Sequence, residues 1–235
     1  MNRNQKTAGF TRIDLLIVIA VLLILGVILI PKIGVSTTRS PPRTCTNNLK
    51  QVGLAFRIWA DDHQYTFPQA LSVTNGGAME AVIGGNVAAV FQVMSSVLNS
   101  PKILFCPTDK KRIQAVTFDQ ASLSKGWQKS VSFLGNTNLS YFVGLDAKDT
   151  SPDMFLSGDD NFLLGGNFKG DVGGSPVPSG VLMLTTNSPV TWSESRHEKQ
   201  GNIGLADGSV MGFSSRSLRT ALKERGVETN RLAMP

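Results

Sequence analysis

Histidine and cysteine are scarce in this 235-residue chain, with two of each. Two histidines are few for metal or triad chemistry. The signatures of common enzyme sites are missing too: there is no Gly-x-Ser-x-Gly, no His-Glu-x-x-His and no phosphate loop. Charge is sparse, at 17% of residues. The net value is +6, but Lys and Arg are scattered. No basic stripe of the kind nucleic acids require is formed, so a nucleic-acid partner is not expected. No Ala-x-Ala-like cleavage site follows the apolar N-terminal run; Pro31-Lys32-Ile33 stands there instead. An ordinary cleaved secretory signal is thereby disfavoured.

What the chain does have is a dense apolar block near its start. Leu15 to Ile30 are 16 consecutive apolar positions, headed by Asp14 and closed by Pro31. With Ile13 and the stretch to Ile33 the block approaches the roughly 20 residues that span a bilayer. A short polar leader with Arg3 and Lys6 precedes it. About 200 residues follow, enough for one domain with its own core. Asp14 is out of place in such a block. A membrane carboxylate costs a few kcal/mol at the helix centre and less near its end. It either stays wet at the interface or waits for a partner cation.

Past the block, the prolines at 41 and 42 should break a continuous helix. Leu49, Val52, Phe56 and Trp59 then recur at helical spacing, which predicts an amphipathic helix over 47–61 with His63 at its end. A further helix is expected around Val87 to Leu98. Strands are expected at Ser130–Phe133, Leu139–Leu145, Phe162–Leu164 and Val181–Thr186, separated by glycine- and asparagine-rich turns. Asp207-Gly208 lies between two strand-like runs and predicts a hairpin with both central residues at positive φ. A short helix should run from Ser214 to Gly226. The fold class is therefore α+β: an N-terminal hydrophobic helix, then a globular domain with an antiparallel sheet packed on a helix. Cys45 and Cys106 allow only one intramolecular pairing; two unrelated buried thiols are the alternative. Asp153, Asp159, Asp160 and Asn161 form an oxygen-rich group that could hold calcium, although its spacing matches no EF-hand and a solvated turn explains it as well.

Gly9-Phe10-Thr11-Arg12-Ile13-Asp14-Leu15-Leu16 resembles the N-terminal motif of type IV pilins and of the pseudopilins of type II secretion. The resemblance implies cleavage between Gly9 and Phe10 by a prepilin peptidase, with N-methylation of the new amine. It makes Asp14 the counterpart of a glutamate that meets the amine of a neighbouring subunit, and Pro31 a helix kink. Leaving one member of such a buried pair alone costs roughly 3–5 kcal/mol. Asp is one methylene shorter than Glu, and Arg12 adds a charge where many relatives are apolar.

Cys45-Thr46-Asn47-Asn48-Leu49-Lys50-Gln51 and Phe105-Cys106-Pro107-Thr108-Asp109 are similar to elements of one branch of this family, which favours a Cys45–Cys106 bridge. His197, nine residues, then Asp207-Gly208 is similar to another element of that branch. A structural hairpin with His197 anchoring a loop is the simpler reading, and a site where His197 meets Asp207 is the rival.

The implied layout is a leader at 1–9, a transmembrane and assembly helix at 10–33, a linker at 34–46 and a periplasmic domain at 47–235. No catalytic residue or cofactor is expected. The implied partners are the prepilin peptidase, other pilin or pseudopilin subunits, an assembly platform and the inner membrane. The implied location is a single-pass inner-membrane protein with its domain in the periplasm, or a filament on the cell surface. A membrane-anchored binding protein that uses the signal only for export is the alternative function, and an exported enzyme using His197 and Asp207 is a third.

Overall fold

The computed structural model describes residues 12–29, 41–119, 131–165, 173–224 and 229–235. It separates into two compact units, Met1–Arg39 and Ser40–Pro235. In the first, helix α1 runs from Arg12 to Leu29, 18 residues. At 1.5 Å per residue that is about 27 Å, against a hydrocarbon core of roughly 30 Å. Among the described residues no helix is long and apolar enough to cross a membrane. Gly9, Phe10 and Pro31 lie outside the described residues.

The second unit begins with α2, Pro41–Asp61. The tandem prolines open this helix. A proline in the first turn loses no intrahelical bond, because its N–H has no partner there in any case, and its fixed φ suits helix entry. The helix therefore starts six residues earlier than the apolar spacing alone suggests. Cys45, Leu49, Val52, Phe56 and Trp59 form its buried stripe, while Lys50, Leu54 and Arg57 face outward. At its end the His63 ring stacks on Trp59 at 3.6 Å, and Nδ1 lies 2.7 Å from the Trp59 carbonyl. The expected helix over 87–98 is divided at Met94 into α4, Ala88–Val93, and α5, Ser95–Leu98, and is preceded by α3, Met79–Ile83.

Among the described residues nine strands follow: β1 Tyr141–Gly144, β2 Phe155–Asp159, β3 Phe162–Leu164, β4 Ser175–Pro176, β5 Gly180–Thr185, β6 Val190–Trp192, β7 Gln200–Leu205, β8 Val210–Ser214 and β9 Thr229–Met234, with α6, Ser215–Glu224, before the last. A six-stranded sheet has the order β5-β9-β1-β2-β7-β8, and a three-stranded sheet the order β4-β3-β6. Every strand pair in both is antiparallel. The six-stranded sheet divides its side chains by the period of two. Val143, Leu156 and Ala233 join the core under α2 to α5. Phe142, Phe155, Leu232 and Met234 join Phe162, Trp192 and the α6 residues Leu218 and Leu222 on the other face. The unit is α+β, as the residue pattern predicts.

Two local features set the site. The β2–β7 pairing shifts register between Phe155 and Ser157. Such a bulge inserts one residue and moves the following side chains to the opposite face. Asp159 consequently pairs across from Tyr141, on the α2 face, instead of sharing the face of Phe155. The second feature is the β7–β8 connection. It spans four residues, and only Gly208 in it has positive φ, at 86°. Gly208 N–H donates to the Leu205 carbonyl at 2.9 Å, and Leu205 N–H to the Ser209 carbonyl at 2.8 Å. The predicted two-residue turn is thus replaced by a longer one closed by a left-handed glycine. A Cβ on Gly53 of α2 would lie 3.3 Å from the Gly208 Cα, so helix and turn meet at their backbones.

Candidate functional site

Four elements that are distant in sequence converge between α2 and the sheet. Cys45 lies in the buried stripe of α2, and Cys106 follows the 3-10 turn Pro101–Leu104. Asp159 ends β2, and His197 sits in the loop between β6 and β7. Both thiols are buried and free. The Cys106 Sγ lies 3.3 Å from His197 Nε2 and 3.0 Å from the Thr108 hydroxyl. The same Nε2 is 3.4 Å from Asp159 Oδ2. Both sulfurs and a His197 ring nitrogen lie within 4.8 Å of one another. Asp159 is fully buried, and the His197 side chain is only 1% exposed.

The backbone at His197 is unusual. His197, Glu198 and Lys199 have φ of 50°, 52° and 66° in succession. A non-glycine residue in this region costs roughly 1–2 kcal/mol. Three together persist only where surrounding contacts fix them. Asn161 supplies part of that restraint, its amide lying 3.5 Å from the Ser193 and Arg196 carbonyls and 3.4 Å from that of Gln200.

Mutual proximity sets the protonation states. Cys106 is lowered to about 5, first by the hydrogen bond from Cys45 and then, against the opposing effect of burial, by His197 and Thr108. Cys45 is pushed strongly up, by its hydrogen bond to Cys106 first and by burial second. Burial pulls His197 down, but Asp159 and Cys106 outweigh it and raise it to about 9. These directions favour a Cys106 thiolate beside a protonated His197, with Cys45 the thiol donor. Burial and the Asp159 charge push Tyr141 well up as well.

Polar satisfaction in the cluster is incomplete. Asp159 Oδ2 accepts from the Asn202 backbone N–H at 2.7 Å and from its side-chain amide at 2.9 Å. Asp159 Oδ1, His197 Nδ1 and the Tyr141 hydroxyl are buried without a hydrogen bond of ordinary geometry. Each such group costs roughly 1–3 kcal/mol.

A second polar cluster lies beside it and is closed. Arg196 pairs with Asp160 and, at 3.4 Å, with Asp109. Arg112 reaches Asp160 at 2.5 Å and Asp109 at 3.1 Å. Arg196 also donates to the Ser140 carbonyl at 3.0 Å, and the Ser140 hydroxyl to Asp109 at 2.9 Å. Burial pushes Asp109 up, but Arg196, the Lys111 N–H, Ser140 and Arg112 together hold it below its ordinary value.

This placement answers the oxygen-rich group of the sequence residue by residue. Asp159 faces His197, Asp160 faces two guanidinium groups, and Asn161 turns its amide toward three carbonyls. They do not converge, so a calcium ion would have to displace both arginines from Asp160. His197 and Asp207 lie at opposite ends of β7, a strand of about 20 Å at 3.3–3.4 Å per residue. Asp207 caps its own turn by accepting from Ser209 N–H at 2.8 Å, while its carbonyl accepts from Arg57 at 2.8 Å. The carboxylate that His197 meets is Asp159. The structure brings Cys45 and Cys106 together, but as two free thiols and not as the bridge the resemblance implies. Asp14 lies in the first turn of α1. Sequence reading missed Tyr141, Arg112 and Arg196 altogether. Asp109 stood inside the quoted Phe105–Asp109 element without a role.

Comparison with protein-family models, with curated proteins and with solved structures finds no match to this chain.

Proposed function

We propose that the chain is a pilin-like subunit of pseudopilin type. It is exported, cut after Gly9 by a prepilin peptidase, held in the inner membrane by the apolar N-terminal segment, and assembled into a type IV pilus or a type II secretion pseudopilus. One observation carries this reading. Past Asp14 the sequence of helix α1 is apolar at every position, and Ile13, Leu15, Leu16, Ile17, Leu22 and Leu23 all stand exposed. A helix hydrophobic all round needs lipid or other helices about it. By sequence the apolar run continues to Ile30 and is preceded by Gly9-Phe10 at the spacing of a prepilin signal. The attached α+β unit, a helix packed on an antiparallel sheet, suits a periplasmic subunit body.

In an assembled filament Asp14 meets the amine of Phe10 on the next subunit, and α1 helices pack side by side. Single cysteines placed along α1 of the membrane-embedded chain test this. Crosslinks between neighbouring α1 helices that depend on the assembly machinery are the expected result. Processing without any such crosslink would make the chain a membrane-anchored binding module, a reading that the shorter reach of Asp14 favours.

A further inference from the structure

We propose that Cys45, Cys106 and His197, with Asp159 beside the imidazole, form a binding site for a thiophilic divalent metal ion of the zinc class. Two sulfurs and an imidazole nitrogen are ligand types such an ion takes in tetrahedral coordination, with a fourth position left for an oxygen ligand. Bond lengths of about 2.3 Å to sulfur and 2.0–2.2 Å to nitrogen and oxygen place neighbouring ligand atoms roughly 3.3–3.8 Å apart. The Cys106 Sγ to His197 Nε2 distance of 3.3 Å falls at such an edge, and Asp159 Oδ2 lies 3.4 Å from the same nitrogen. Cys45 closes the group, its sulfur lying within 4.8 Å of the Cys106 sulfur and the imidazole.

The unsatisfied atoms point the same way. Asp159 Oδ1 is buried without a hydrogen bond, while Asn202 donates twice to Oδ2, the oxygen that faces His197. The carboxylate is thereby oriented behind the imidazole, as groups behind a metal ligand commonly are. Coordination through Nε2 requires that nitrogen to lose its proton and leaves the other on Nδ1. Binding therefore releases two protons to solvent, one from His197 Nε2 and one from the Cys45 thiol, and the ion's two positive charges offset the two thiolates.

A nucleophilic Cys–His–Asp relay fits less well. Such a relay needs the thiol and the carboxylate on opposite ring nitrogens, whereas Cys106 and Asp159 both face Nε2. The thiol is also sealed from any substrate. The residues of the site come from α2, the loop after the 3-10 turn, β2 and the β6–β7 loop, so the ion would be taken up as folding closes these elements. The site does not depend on whether the chain polymerises.

The test uses the full chain, purified in detergent without reductant or chelator. Zinc content, intact mass and free-thiol count are measured together, followed by cobalt(II) exchange. Stoichiometric zinc, two reduced thiols, and a tetrahedral cobalt spectrum with thiolate charge transfer are expected. Cys106→Ser should lose much of the charge-transfer intensity, and Asp159→Asn should weaken cobalt binding about 10-fold or more, the scale typical of disturbed metal sites. If a variant fails to fold, the spectrum of the unaltered chain decides alone. A Cys45–Cys106 disulfide in the chain as isolated overturns the proposal. So does a reduced chain that holds no zinc and takes up no cobalt, or a Cys106→Ser spectrum identical to that of the unaltered chain.

Discussion

Helix α1 and the 40–235 unit depart from ordinary burial in opposite directions. In α1 large apolar side chains such as Leu16, Leu22 and Leu23 stand in the open. In the second unit Asp159 and His197 are sealed among apolar groups. An exposed apolar helix lacks the solvent that suits it, and a buried carboxylate with one oxygen left unbonded lacks full pairing. The arginine–aspartate cluster next to His197 supplies the control. Asp109 and Arg196 are buried there too, yet two guanidinium groups answer two carboxylates. Burial of charge is therefore not in itself a sign of a missing ligand; incomplete pairing is.

The largest effect is expected from opening the arginine–aspartate cluster. Arg196→Met leaves Asp109 and Asp160 with only Arg112 between them and strands the Ser140 carbonyl. A loss of about 3–5 kcal/mol is expected in equilibrium unfolding, the scale for breaking a buried pair by removing one partner. A loss below about 1 kcal/mol would place this cluster with surface ion pairs. On the other side of the comparison, Leu22→Arg puts a charge into the apolar helix. About 2.5–3.5 kcal/mol of insertion free energy should be lost, read as a shift of the chain from the membrane to the soluble fraction. Unchanged fractionation would remove lipid as the solvent of α1.

The smallest effect is one of pH. Asp109 is held below its ordinary 3.8 in the folded chain. An unfolded chain therefore binds the proton first as pH falls. The stabilisation is complete above about pH 4 and is lost as pH drops through the depressed folded value. Thermal melts should be level down to that range and then decline, and Asp109→Asn should flatten the decline. A decline that begins well above pH 4 and survives the substitution would assign it to other groups.

Much of this was legible in the residues, and the exceptions have physical causes. The stripe Cys45-Leu49-Val52-Phe56-Trp59 marked α2 because helical spacing survives in local sequence. Its start did not, since Pro41 and Pro42 act as breakers inside a helix and as good entries at its first turn. β3 and β5 carry apolar runs and were readable. β9, with Thr229, Asn230 and Arg231 in its first half, takes its place from pairing with β1 and β5, which no local pattern encodes. The two thiols and His197 were visible as candidates. Asp159 as the partner of His197 was hidden, because a bulge in β2 decides which face it takes. Asp207, one strand away from His197 in sequence, was the nearer but wrong partner to consider for contact.

The proposed role of α1 turns on the bond between Gly9 and Phe10. Mass spectrometry of the N-terminus of the chain isolated from its native host tests it directly. A mature protein beginning at N-methylated Phe10, with residues 1–9 removed, is the predicted result. An intact leader, or a cut at any other bond, would contradict it.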